Sequence, residues 1–204
     1  SPAAQFDAAF QGADGLASLN GELASSRLTP MTFKAEGPFG LVRSAGGRLH
    51  WMNPEGAISA SLDIPGIDIG ILRTLFPRFQ QLDGFLSGNL SIAGTIAKPL
   101  LEGELVIGDG RLEFSKHAPL VHNVNGAVNF NAERAMVEGF RGAVGDGSFE
   151  VRGGASLENL FQPYYELFFY GSKVDLVRMD GLQLKANVDL YASGNGYSGM
   201  IKGA

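Results

Sequence analysis

From Asp83 to Phe114 the chain alternates. Leu86, Leu90, Ile92 and Ile96 share one parity, with Gly88 and Gly94 among them, while Ser87, Asn89, Ser91 and Thr95 share the other. In a strand, parity is a face, so one side of this segment is apolar and the other wet. Pro99 breaks the run and a second begins, with Leu101, Leu105 and Ile107 set against Glu102 and Glu104, followed by Leu112 and Phe114. The pattern returns at Val124, Gly126, Val128 and Phe130 against Asn125, Asn129 and Asn131. It returns again at Phe149, Val151 and Gly153 against Ser148, Glu150 and Arg152, and at Val188 and Leu190 against Asn187 and Asp189. Leu167 and Phe169 form a further run whose alternates, Phe168 and Tyr170, are also aromatic, so this strand is expected to be covered on both faces. The pattern predicts a mainly β protein built on a long, one-sided antiparallel sheet.

Glycine and turn chemistry agree with that reading. Twenty-nine glycines and nine prolines in 204 residues are too many for a helical protein and show no collagen period. Asp-Gly or Asn-Gly pairs begin at Asp14, Asn20, Asp83, Asp109, Asn125, Asp146, Asp180 and Asn195. Such pairs supply the positive φ of tight hairpins, and Asp109-Gly110, lying between two alternating runs, is the clearest expected turn. The first eighty residues are less regular. Strands are expected around Leu19–Leu23, Leu49–Trp51 and Ile58–Ile64, and residues 1–25 are expected to fray. Ile69, Leu72, Leu75, Phe76 and Phe79 recur at helical spacing behind Asp68, which predicts a short amphipathic helix over 69–76, capped by Asp68 and ended by Pro77. A second helical turn is expected near Leu157–Phe161.

An apolar sheet face must be covered by a second sheet, by helices, or by its own curl. Helical sequence is too scarce here, which leaves a sandwich or a curled sheet. The apolar-parity glycines Gly88, Gly94, Gly126, Gly153 and Gly194 lack volume where a filled sandwich wants it, and suit either tight curvature or a groove with space in it. Alternation alone separates neither from the other.

The motifs that resemble catalytic or binding signatures lack their context. Gly194-Asn-Gly196-Tyr-Ser-Gly199 matches the dinucleotide fingerprint literally, but it joins two strand patterns where that chemistry needs a helix N-terminus, and so reads as a hairpin. His50, His117 and His122 are the only histidines and there is no cysteine, so thiolate zinc sites and thiol catalysis are excluded. No Gly-x-Ser-x-Gly elbow is present. Asp63 and Asp68, flanking Pro65-Gly66, are expected to solvate a loop and cap a helix. A net charge of −5 without a basic run lacks the footprint of nucleic-acid binding. The expectation is a non-enzymatic chain without cofactor or metal. No stretch is long and apolar enough to span a bilayer, and the opening Ser1-Pro2-Ala3-Ala4 reads as the start of a piece excised from a longer protein.

The cadence Leu82-Asp83-Gly84, Gly88-Asn-Leu-Ser-Ile-Ala-Gly94-Thr95-Ile96, Lys98-Pro99, Leu101-Glu-Gly103 and Gly108-Asp-Gly110 resembles the C-terminal region of the TamB family, within the AsmA-like group. The likeness continues through Asn123-Val-Asn-Gly126 and Gly145-Asp-Gly-Ser-Phe-Glu-Val-Arg-Gly153, and is strongest over 63–154. What it implies is a single TamB-like β domain across 1–204. The implied fold is a curled sheet, or β-taco, an open half-barrel with a hydrophobic interior and one or two short helices. It further implies a periplasmic segment of an inner-membrane-anchored protein of a diderm bacterium, engaged in outer-membrane biogenesis. The implied partners are phospholipid acyl chains, an outer-membrane barrel of the TamA kind, and outer-membrane protein clients that pair with an open sheet edge. On that reading the groove lining is Leu86, Leu90, Ile92, Ile96, Leu105, Ile107, Leu112, Phe114, Val128, Phe130, Phe149, Val151, Leu167, Phe169, Val188 and Leu190. The alternatives are an assembly module using the sheet edge, and a closed β-sandwich with a structural role.

Overall fold

The computed structural model describes residues 4–13, 16–25, 28–38, 42–43, 49–50, 55–74, 79–113, 118–159, 162–179, 182–195 and 198–203. Strands β1 (Ala4–Ala13), β2 (Leu16–Ser25) and β3 (Leu28–Pro38) are followed by the two-residue strands β4 (Val42–Arg43) and β5 (Leu49–His50), which pair with each other. Then come β6 (Ser59–Asp68), a 3₁₀ turn (Ile69–Thr74), β7 (Gln81–Gly94), β8 (Pro99–Glu113), β9 (Val121–Ala132) and β10 (Arg134–Val144). β11 (Gly147–Ser156), β12 (Tyr164–Met179), β13 (Leu182–Asn195) and β14 (Ser198–Gly203) complete the chain. Apart from β4 and β5, every strand joins one antiparallel sheet of twelve, in the order β1-β2-β3-β6-β7-β8-β9-β10-β11-β12-β13-β14. The sheet is not closed, since β1 and β14 are its two edges. Residues 4–13 and 16–25, within the stretch expected to fray, pair with each other as β1 and β2.

The alternation becomes a face through the register. Leu62, Leu90, Gly103, Phe130, Ala135, Ala155, Tyr165 and Gly194 are successive cross-strand partners from β6 to β13. Ile64, Gly88, Leu105, Val128, Val137, Gly153, Leu167 and Ala192 make the adjoining row. A slip of one residue in any strand would turn its apolar set to water, so these rows hold each other in register.

Bulges then bend the sheet. Asp109-Gly110 is not a hairpin turn: β8 runs straight through it, and the pairing with β9 shifts register between Ile107 and Gly110. Asp109 takes φ +51°, and its N–H donates to the Asn125 side chain at 3.1 Å. The extra residue carries Leu112 onto the same face as Leu105 and Ile107 despite opposite parity. Asn123 (φ +52°) in β9 and Lys173 (φ +51°) in β12 take the same left-handed conformation, and the Lys173 N–H donates to Asn187 at 2.9 Å. Pairing shifts between Val137 and Phe140 in β10, and between Gly171 and Val174 in β12, do the same for Phe140 and Val174. All of these lie toward one end of the sheet. There β10 and β12, which are not hydrogen-bonded neighbours, approach within 8 Å between Cα atoms.

The packed core sits at that end. Val124, Phe149 and Val174 are 2%, 8% and 3% exposed, with Ile107, Leu112, Val121, Phe140, Val144, Val151, Phe169 and Val188 against them. Phe149 and Phe169 stack at 5.4 Å between ring centroids, 17° from parallel. Two glycines admit the rings. A Cβ on Gly142 would stand 2.7 Å from the Phe149 ring, and one on Gly126 would stand 2.7 Å from the Phe140 ring. The Gly126 space is therefore filled by an aromatic side chain and not left as groove volume. Gly142→Ala is expected to cost about 1–3 kcal/mol through overpacking, read as a lower urea midpoint at unchanged slope.

The expected amphipathic helix is a 3₁₀ turn over Ile69–Thr74, with Leu75, Phe76 and Pro77 outside the described residues. Gly70, at its second position, gives the chain little propensity for a longer α-helix. Asp68 does cap it: its Oδ1 accepts the Gly70 N–H at 2.8 Å. Ile69 is buried against the sheet at 6% exposure. Asp68→Ala is expected to lose about 1 kcal/mol, seen as a slightly lower melting temperature. Of the helical turn expected over 157–161, residues 160–161 lie outside the described residues, residues 158–159 form a bend, and the Gln162 N–H donates to the Asn159 carbonyl at 3.0 Å.

Candidate functional site

The apolar face divides into a filled end and an open one. Among the sequence-derived lining residues, Ile107, Leu112, Phe149, Val151, Phe169 and Val188 come together in the packed cluster. Leu86, Leu90, Ile92, Leu105, Val128, Phe130 and Leu167 lie on the same face and are half-buried, as Ile107, Leu112, Val151, Phe169 and Val188 are, but they do not belong to the cluster that closes around Val124, Phe149 and Val174 among the described residues. Leu190, next to the β14 edge, is 37% exposed. Ile96 is not on the sheet: β7 ends at Gly94 (φ +95°), and Ile96 sits in the turn to β8, its N–H donated to Gly56 at 3.3 Å. Phe114 lies outside the described residues.

That partial burial distinguishes a curled sheet from a filled sandwich. The accessible surface is 13465 Å², against about 9,200 Å² for a compact protein of this mass. On the apolar face itself, Leu86, Leu90, Ile92, Leu105, Val128, Phe130 and Leu167 keep partial access to solvent. Glycine contributes by close backbone approach and not by empty space. Gly88 holds φ +146°, and a Cβ there would collide with the Glu104 carbonyl of β8.

A polar clasp borders the filled end. Lys185 reaches Asp146 at 2.8 Å, in the β10–β11 turn, and the buried Asp175 at 3.8 Å. The hydrogen bond to Asp146 holds the Lys185 ammonium above its ordinary range. His122 Nε2 donates to the Gly145 carbonyl at 2.9 Å, which gives this histidine a structural role. His117 lies outside the described residues. Among the described residues no three His, Asp or Glu side chains converge as metal ligands. Gly194 and Gly199 pair directly in the β13–β14 hairpin, and the Ser198 N–H donates to Asn195 Oδ1 at 3.1 Å, so the dinucleotide-like string is a hairpin.

Residues 48–107 match the family model described as TamB, N-terminal domain. That stretch is TamB-like. The matched TamB stretch begins just before β5 and takes in β6, the 3₁₀ turn, β7 and β8 as far as Ile107. It shares residues 63–107 with the stretch where the motif cadence is strongest. The expected placement in the C-terminal region of TamB gains no support from it, because the matching description is of the N-terminal domain. No curated protein and no solved structure matches the chain.

The opposite face was misjudged from sequence. Phe168 and Tyr170 are 40% and 44% exposed, so β12 is covered on one side only. A strand aromatic on both faces is ordinarily buried on both. Here the outer rings shelter one another instead, Phe168 lying 6.4 Å from Tyr170 and 4.9 Å from Tyr191 between ring centroids.

Proposed function

We propose that this chain is a periplasmic, TamB-like segment serving outer-membrane biogenesis, and that it binds phospholipid acyl chains on the half-open part of its apolar face without catalysing a reaction. The supporting observation is the pair of register-locked rows running from Leu62 and Ile64 in β6 to Gly194 and Ala192 in β13, in which Leu90, Leu105, Val128, Phe130 and Leu167 stay half-buried although Ile64 and Ala135 are buried. A contiguous apolar surface of this kind is costly in water unless something apolar meets it. Acyl chains need only non-directional contact, which Leu, Ile, Val and Phe supply, while headgroups remain at the wet rim. The stacked Phe149 and Phe169 end the open stretch, so bound chains lie between them and the Ile92–Leu101–Ala132 end of the face.

Mass spectrometry of organic extracts from the purified chain is the direct test. Stoichiometric phospholipid is expected. A lipid-free chain that also fails to take up a fluorescent fatty acid would end this reading.

The sheet edges favour a second reading, an assembly module acting on outer-membrane protein clients beside a TamA-like barrel. β14 is a six-residue edge strand, exposed at every position, with Ile201 74% exposed. An open edge of this kind templates a further strand. Photocrosslinkers at Met200 would then capture polypeptide, whereas crosslinkers at Leu90 capture lipid under the first reading.

A further inference from the structure

The outer, polar face carries a feature that acyl-chain binding leaves unused. Tyr164, Phe168, Tyr170 and Met136 project from it at 49%, 40%, 44% and 45% exposure. Across β7 and β8 that face carries mainly polar residues such as Asn89, Ser91 and Glu102, with Phe85 and Leu100 as separate exposed apolar side chains. Phe168 and Tyr170 lie within 8° of parallel, 6.4 Å apart between centroids, and make a paired aromatic platform. A depression lies against each member of this pair. One, of about 810 Å³, is lined by Tyr170 with Asn123, Arg141, Glu150, Asn187 and Asp189. The other, of about 320 Å³, is lined by Phe168 with Tyr164, Met136, Arg134 and Glu166. Together they make a trough from β9 to β13, four interstrand steps or roughly 19 Å wide.

We propose that this trough binds a neutral oligosaccharide chain. Charge is the first reason. The linings hold Arg134 and Arg141 with Glu150, Glu166 and Asp189, and Glu150 is paired with the adjacent Arg152 at 2.7 Å, so the patch as a whole is close to neutral. A surface without net charge neither attracts a polyanion nor steers toward an anionic bilayer. The mixture of groups is the second. Glu166 accepts the Tyr191 hydroxyl at 2.8 Å beside the rings, so an apolar partner laid over the platform would strip water from a carboxylate. Backbone chemistry is the third: these strands are paired on both sides, leaving no free edge for a peptide strand to join. A sugar ring meets each requirement. Its C–H face packs on an aromatic ring, and its rim of hydroxyls both donates to Glu and Asp and exchanges hydrogen bonds with Asn. The trough's length suits several rings in series and not a single sugar.

Calorimetric titration of the full chain with chitohexaose, cellohexaose and maltohexaose tests this. At least one is expected to bind. The double variant Phe168→Ala/Tyr170→Ala is expected to weaken that binding by about tenfold, with an unchanged circular dichroism spectrum, while Tyr170→Phe retains it. Leu90→Asp, on the other face, is expected to bind the sugar normally, which separates this site from the acyl-chain reading. The proposal is overturned if none of the three sugars binds, or if the double variant binds as wild type does. It is equally overturned if the trough proves to bind anionic vesicles or an unfolded peptide in place of sugar, with the same sensitivity to the double variant.

Discussion

Phe149→Ala is expected to cost the fold about 3–5 kcal/mol, a large share of the roughly 5–15 kcal/mol that holds a typical domain. The ring is 8% exposed, stacks on Phe169, and fills the space over Gly142, so truncation leaves a cavity that neighbouring strands cannot close without breaking register. Phe130→Ala is the control. It removes the same atoms from the same face, but from a half-buried site in the open stretch, and should cost less than half as much. Equilibrium urea unfolding of both variants gives the comparison. Equal losses would mean that the face is uniformly packed, and the division into filled and open ends would be wrong.

Leu90→Asp and Val128→Arg carry the second large effect, on ligand and not on fold. Both positions are half-buried on the open stretch, in adjoining rows, so a new charge there keeps partial access to water in the free protein. A bound hydrocarbon chain would remove that water and leave an ion without a partner, at a cost of several kcal/mol. Co-purifying phospholipid and fatty-acid uptake are expected to fall at least about tenfold, with melting temperatures close to wild type. Leu90→Ala, which merely trims contact area, should change uptake little. If the charged variants fold and still carry lipid, the acyl chains are not on this face.

Individual residues show how far reading from sequence reaches. The rows through Leu90 and Leu105 follow directly from alternation, because a strand leaves a side chain only two directions. Asp68 was legible as a cap for the same kind of local reason. The Asp-Gly and Asn-Gly pairs were not. Asp146-Gly147 stands at a hairpin tip and Asn195 ends β13 where it turns to β14, whereas Asn20, Asp83, Asp109 and Asn125 lie inside strands. The same positive φ that turns a chain back also makes a bulge. Which of the two forms depends on whether the neighbouring strand continues alongside, and for Asp109 it does: Arg111 and Leu112 still face Asp83 and Leu82.

Phe168 and Tyr170 mark the other limit. Their hydrophobicity argued for a cover, and none is present among the described residues; no local pattern states whether a second layer exists. The division of the apolar face into a packed end and an open end is likewise absent from the alternation, since Phe149 and Phe130 occupy equivalent positions in equivalent patterns.

The order of apolar and polar residues therefore determined that this chain makes a one-sided antiparallel sheet, and which side chains share its apolar face, because pleating ties parity to direction. Only the tertiary structure decided where that face closes on itself. Curl accumulates from bulges on neighbouring strands, among them Asp109, Asn123 and Lys173, and their alignment at one end is a relation between strands that no single strand's sequence contains.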